Sequence, residues 1–236
     1  MLYKILTFAA LLLIAIITSV FAITAIFTML IINKNTFYPL SKYWAKLILG
    51  VSGIKLNVSF QDNLKDDESY IYIPNHTSLF DIPVLLASVN GNVRIMYKEE
   101  LEKIPIFGWC LKISPFISVK REDKENSLEG FKQALEAVNS SDSVIIFPEG
   151  TRSEDGKLGE FKKGAFLLAI KSGKKIVPVV IKGTNKLMSK GSLKLDQGIV
   201  SIEYNKIINP KENPDINTKN LMENIRAIMS DKLSKL

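Results

Sequence analysis

A chain of 236 residues, 47% of them hydrophobic, is long enough for one domain with a normal core and an appendage. Its single cysteine, Cys110, excludes an internal disulfide and a cysteine-built zinc site. The net charge of +7 is uneven, with nine lysines and no acid between residues 161 and 195. That block favours an anionic partner, while the lack of a zinc-finger or RNP pattern argues against nucleic acid.

Between Lys4 and Lys34 no residue carries a charge. As a helix, the apolar run 5–32 is roughly 42 Å long at ~1.5 Å per residue, more than the ~30 Å hydrocarbon core of a bilayer. Val20-Phe21-Ala22 resembles a signal-cleavage site, but the apolar run continues ten residues beyond it. Phe37, Tyr38, Tyr43 and Trp44 then alternate with Lys42 and Lys46, as in a helix at headgroup level. Residues 1–53 are therefore expected to anchor the protein in a phospholipid bilayer, as a spanning helix or as a two-helix motif in one leaflet. If the first helix spans, Lys34, Lys42, Lys46 and Lys55 outweigh Lys4 and put the folded domain in the cytoplasm.

Residues 54–236 alternate apolar strands with helical spacing. Strands are expected at 55–60, 69–73, 93–97, 116–119, 143–147, 176–181 and 199–204. Helices are expected at 78–89, capped by Ser78, at 125–138, at 161–171, closed by Gly173, and at 217–236. The stretch 209–214 reads as a late linker. Alternation of this kind indicates an α/β fold, a layered sheet with flanking helices.

Two runs carry chemistry. Pro74-Asn75-His76-Thr77-Ser78-Leu79-Phe80-Asp81 holds the only histidine, on a loop between a strand and a helix. A neutral imidazole accepts a proton at cell pH, and Asp81 is placed to hold the ring's other N–H if the loop folds back. The structural alternative is a capping box, with Asp81 serving the helix start and His76 an ordinary loop residue. The second run, Phe147-Pro148-Glu149-Gly150-Thr151-Arg152-Ser153, follows the buried strand Val144-Ile145-Ile146. Gly150 allows a tight turn, and Arg152 offers a fork of donors suited to phosphate. Glu149 has no evident partner beyond Arg152 or the loop itself. Lys98, at a strand end, is a further candidate for an anion.

These runs resemble the glycerolipid acyltransferase family, and within it the bacterial 1-acyl-sn-glycerol-3-phosphate acyltransferases. Residues 75–81 match the family's N-H-x-x-x-x-D, and 147–153 match F-P-E-G-T-R-S. Residues 98–108 resemble its K-x-E-L-x-x-I-P-x-x-G block, and 177–184 its V-P-V-x-I-x-G-T strand. The likeness covers roughly residues 55–205, and its four blocks stand in the family's order. Lys120 departs from the pattern, standing where an acid is common, whereas Arg121 is retained.

The resemblance implies a glycerolipid-acyltransferase-like fold and transfer of an acyl chain from a thioester to the sn-2 hydroxyl of lysophosphatidic acid, giving phosphatidic acid. His76 would be the base and Asp81 its orienting partner. Lys98, Arg121 and Arg152 would bind the acceptor's phosphate in a pocket shaped by Glu149, Gly150 and Thr151. Residues 177–184 would help form the acyl-donor or acyl-chain side. The donor would be acyl-CoA or acyl carrier protein, with no metal or other cofactor, and the site would lie at the inner membrane facing the cytoplasm. Backbone N–H groups near Ser78 or in the Gly150 turn are the candidates for stabilising the oxyanion. Competing readings are acylation of another lysolipid, such as lyso-ornithine lipid, hydrolysis of a thioester, and a non-catalytic module that binds anionic lipid.

Overall fold

The computed structural model describes residues 2–65, 67–120, 124–140, 142–191, 194–212 and 216–235. All seven expected strands form, β1 (Ile54–Phe60), β2 (Ile71–Pro74), β3 (Val93–Lys98), β4 (Ile117–Val119), β5 (Ser143–Ile145), β6 (Ile176–Lys182) and β7 (Gly198–Tyr204). They make one sheet in the order β1-β7-β6-β2-β5-β3-β4. Every pairing is parallel except β6 with β7. Strands β2 to β6 therefore end at one edge of the sheet, and the residues that follow them converge there.

The central strands are apolar on both sides, as a sheet covered on both faces requires: all four residues of β2 are buried, and six of seven in β6. One face packs against α2 (Phe37–Val51) and α3 (Asp81–Ser88) through Tyr72, Val84, Leu85, Ile95 and Val179. The other packs against α5 (Lys124–Asn139), α6 (Gly164–Ser172) and α8 (Thr218–Ser234) through Ile71, Ile73, Phe166, Leu168 and Ile225. Gly173 ends α6 in the left-handed conformation at φ 61°, and Asn217 caps α8 by accepting from the N–H groups of Lys219 and Asn220.

Two helices start later than their spacing suggests. The α3 helix begins at Asp81, not Ser78, because the Asp81 carboxylate draws in the N–H groups of Thr77 and Ser78 and holds them in a turn. The α6 helix begins at Gly164, because Lys162 donates its N–H to Pro148 O and stays outside the helix. Part of the expected linker, Pro210–Glu212, is a 3₁₀ turn. The short helices α4 (Phe107–Ile113) and α7 (Thr184–Leu187) have no periodic signal to announce them.

The first helix, α1 (Leu2–Ile31), is long and apolar enough to cross a membrane from Leu6 to Ile31. It turns through a 3₁₀ segment, Lys34–Thr36, into α2. The two helices are joined by a bond from Trp44 Nε1 to Thr18 Oγ1 at 3.1 Å and by stacking of Phe21 on Trp44. Contacts between α1 and the folded body run from Ala10 to Met29. The opposite side of α1 stays bare, with Phe27 65% and Leu30 73% exposed. At the far edge of the sheet, Tyr38 and Arg94 both donate to Asp142 Oδ2 and fasten the start of α2 to the strands.

Candidate active site

At the converging strand ends the polar residues of the β2–α3 loop are buried and bonded. Asn75 accepts from Ile181 N and donates to Ile181 O, at 2.8 and 2.9 Å, which prolongs the β2–β6 pairing by one side chain. His76 then turns back over the edge. Its Nδ1 lies 2.8 Å from Asp81 Oδ2. That oxygen also accepts from Thr77 N at 2.7 Å and Ser78 N at 2.9 Å. An oxygen surrounded by backbone donors acts as an acceptor, so Nδ1 carries the ring proton and the lone pair lies on Nε2.

Asp81 Oδ1 accepts from Thr184 Oγ1 at 2.6 Å, and Thr184 in turn accepts from Thr77 Oγ1 at 3.0 Å. Asp81 is completely buried. The capping-box alternative is thus only half present: Asp81 reaches back to Ser78 N, but Ser78 Oγ donates to Met188 O at 2.7 Å and accepts from Phe80 N. The carboxylate serves the helix start and the imidazole together.

The turn after β5 lies against the same imidazole. The Phe147 ring stacks under His76 with centroids 4.0 Å apart. Glu149 is buried, and its two oxygens accept from His76 N and Gly159 N, each at 2.8 Å. Burial raises its pKa above the usual carboxylate range, against the lowering effect of the two N–H bonds. Glu149 is therefore neither a surface carboxylate nor a brace for Arg152. It ties the two loops to each other. Gly150 takes φ +68°, open to glycine at no steric expense.

The sequence profile of the family described as Acyltransferase matches residues 55–182, more than half of the chain. The chain belongs to that family. A chloroplastic 1-acyl-sn-glycerol-3-phosphate acyltransferase of Arabidopsis thaliana, LPAT1, is 38% identical over 154 residues, 65% of this chain and 43% of its own length. The 1-acyl-sn-glycerol-3-phosphate acyltransferase of Borreliella burgdorferi is 28% identical over 192 residues, 81% of this chain and 76% of its own. The chain spans less than half the length of the chloroplastic relatives from Arabidopsis thaliana and Brassica napus. The crystal structure of the 1-acyl-sn-glycerophosphate acyltransferase PlsC from Thermotoga maritima superposes with a TM-score of 0.84 at 24% identity, over 99% of this chain and 96% of that one. The acyltransferase fold is therefore present over nearly the whole chain.

Around His76 the remaining candidates fall into distinct settings. Arg152 is half-buried and makes no hydrogen bond or ion pair among the described residues, and Thr151 is exposed. Lys98, at the end of β3, pairs with Glu100 Oε1 at 3.0 Å. Arg121 lies outside the described residues. Of the candidate oxyanion donors, Ser78 N is already given to Asp81 and Gly150 N to Phe147 O. The lysine-rich stretch is not one surface: Lys175 pairs with Glu68, Lys190 with Glu154 and Lys194 with Asp196. Two roles escaped sequence reasoning. Thr184 supports Asp81 directly, which its place just beyond β6 does not reveal, and Asn75 locks the loop to β6.

Proposed function

We propose that the protein transfers an acyl chain from an acyl thioester to the sn-2 hydroxyl of 1-acyl-sn-glycerol-3-phosphate, forming phosphatidic acid. The observation that carries this reading is the 2.8 Å bond from His76 Nδ1 to a buried, four-fold bonded Asp81, which leaves Nε2 as a base beside a turn bearing an unpaired arginine. The names of the relatives supply the substrate class.

In the reaction the sn-2 hydroxyl gives its proton to His76 Nε2 as its oxygen attacks the thioester carbonyl. Asp81 holds the imidazolium that forms. The tetrahedral oxyanion collapses, the carbon–sulfur bond breaks, and the thiolate leaves with the proton from Nε2. A thioester is already activated, so base catalysis, orientation and phosphate binding are the tasks left to the protein. Arg152 binds the acceptor's phosphate, with Lys98 and Arg121 assisting. The thiol carrier is coenzyme A or acyl carrier protein.

The site works at a membrane, with α1 lying in one leaflet of the inner membrane and the catalytic domain on the cytoplasmic side. Contacts from Ala10 to Met29 cover roughly 28 Å of helix at ~1.5 Å per residue. That is close to the full ~30 Å hydrocarbon thickness, and it favours an in-plane anchor over a helix standing free in the bilayer core.

The test uses detergent-solubilised protein with palmitoyl-CoA and 1-oleoyl-lysophosphatidic acid, following thiol release and lipid product. Wild type forms phosphatidic acid, and His76→Ala loses about 10²–10⁴-fold in kcat. Thiol release without an acceptor, or better acylation of a lysolipid lacking phosphate, would overturn the reading.

A further inference from the structure

A cavity of about 310 Å³ opens on the α5–α6 side of the sheet, the face opposite α2 and α3. That volume is at the small end of the range for ligand pockets. Its walls are hydrocarbon, from Met96, Val119, Phe131, Ile146 and Leu168. Such a lining rejects a polar headgroup and accepts an aliphatic chain.

Its rim is different. Phe147, Gly150 and Lys162 also line the cavity. A Cβ at Gly150 would stand 3.0 Å from Lys162 Cε and 3.1 Å from its Nζ, so the ammonium lies directly on the Gly150 turn. The Lys162 backbone is pinned to that turn through its bond to Pro148 O at 2.7 Å. The ammonium has no acidic partner among the described residues. Phe147, in turn, is the ring on which His76 stacks. Apolar wall, free cation and base thus meet at one turn.

We propose that this cavity receives the sn-1 acyl chain of the acceptor, while Lys162 binds the phosphate of the same molecule. This rests on the acyltransferase reading above. In the acceptor the reacting hydroxyl stands between the ester-linked chain and the phosphate, so a base must sit beside both a chain site and an anion site. A thioester donor carries no anion next to its carbonyl, and a cation at the rim matches it less well. Lys162 then joins Arg152 in holding the phosphate, whereas Lys98 must first leave Glu100.

Two variants of the full-length protein test this, with steady-state rates measured across a series of acceptor and donor chain lengths. Lys162→Gln removes the cation and keeps the stem. Gly164→Leu adds an apolar side chain at the exposed rim of the cavity, which Gly164 lines and where its added Cβ would meet no atom within 4 Å. Lys162→Gln should raise the acceptor KM at least about tenfold with kcat and donor KM within about twofold. Gly164→Leu should lower kcat/KM for 1-oleoyl acceptor at least about tenfold, spare a short-chain acceptor, and leave the donor profile unchanged. A shifted donor profile with the acceptor series intact would give the cavity to the donor chain and overturn the proposal. Unchanged kinetics in both variants would overturn it too. Failure of the underlying reading is seen separately, as a wild type that acylates no lysophosphatidate.

Discussion

The loop after β2 and the turn after β5 meet at His76, yet they are built in opposite ways. In the first, Asn75, Thr77, Ser78 and Asp81 are all buried, and each side chain is engaged in hydrogen bonds. In the second, Glu149 has the only side chain among the described residues of the turn that is both buried and hydrogen-bonded, while Arg152 and, beside the turn, Lys162 have no acidic partner among the described residues. On the proposed reading, proton transfer needs a base fixed to a fraction of an ångström, which a loop saturated from within supplies. Binding an anion, on the same reading, needs donors with nothing yet to bind: the turn is held by the Glu149 carboxylate and by Ser153 N, which donates to His76 O at 2.8 Å, while its cations stay open.

The contrast is broken most severely at Asp81. In Asp81→Asn, an amide placed at Oδ2 would face three N–H donors, those of His76, Thr77 and Ser78. Turned the other way, it would still lose the fit to Thr184 Oγ1 at 2.6 Å, unless that hydroxyl reorients. Either state disturbs the imidazole tautomer and leaves a buried polar group unmatched. We expect kcat to fall on the order of 10³-fold, with a stability loss of about 1–3 kcal/mol, read from turnover and from chemical denaturation. A variant with wild-type turnover would show that the base works without its orienting partner.

Glu149 joins the two regions, and its replacement should loosen one against the other. Glutamine can accept from His76 N or from Gly159 N, but its NH₂ then opposes the remaining donor. Glu149→Gln should lower kcat about thirtyfold by letting the His76 backbone drift. The pH dependence has a defined sign. Burial raises the pKa of Glu149 in the folded state, so the folded protein binds more protons across the window above the ordinary carboxylate range. Wild-type stability therefore contains a contribution that falls as pH rises through that window and is level beyond it. Glutamine has no such contribution, so its deficit relative to wild type should be largest at acid pH and shrink as the pH rises. Denaturant unfolding of both proteins from acid to neutral pH reads this directly, and a deficit growing with pH would refute it.

The sheet was legible because its strands are short apolar runs between turn residues, and Val144-Ile145-Ile146 could be little else. The reversal of β7 against β6 was not, since alternation marks a strand without marking its direction. His76 and Asp81 were legible as a pair from type and spacing, and the bond between them follows. Glu149 was not, because one of its partners is the backbone N–H of Gly159, ten residues on, and a backbone donor leaves no trace in the sequence. Lys162 was visible as one lysine of nine and as part of the run 161–166, which resembles the family's own, but its contact with the Gly150 turn was not.

The smallest effects should separate the two cations that the family pattern treats alike. Arg152 has nothing to give up when a phosphate arrives, and its planar fork can bind two phosphate oxygens at once. Lys98 begins in a pair with Glu100 in which both side chains are nearly half exposed, 47% and 41%. An exposed pair of that kind contributes only about 0–1 kcal/mol, so breaking it is cheap, but any gain from the phosphate is reduced by that loss. Arg152→Gln should raise the acceptor KM about tenfold, Lys98→Gln only about threefold, with the donor KM unchanged in both. Removing Glu100 as well supplies the sharper reading. In Glu100→Gln, Lys98 is released, and the acceptor KM should fall by about twofold; in the double variant with Lys98→Gln that gain should vanish. If Glu100→Gln instead weakens the acceptor, Glu100 is positioning Lys98 for the phosphate, and the pair belongs with the saturated loop, not with the open turn.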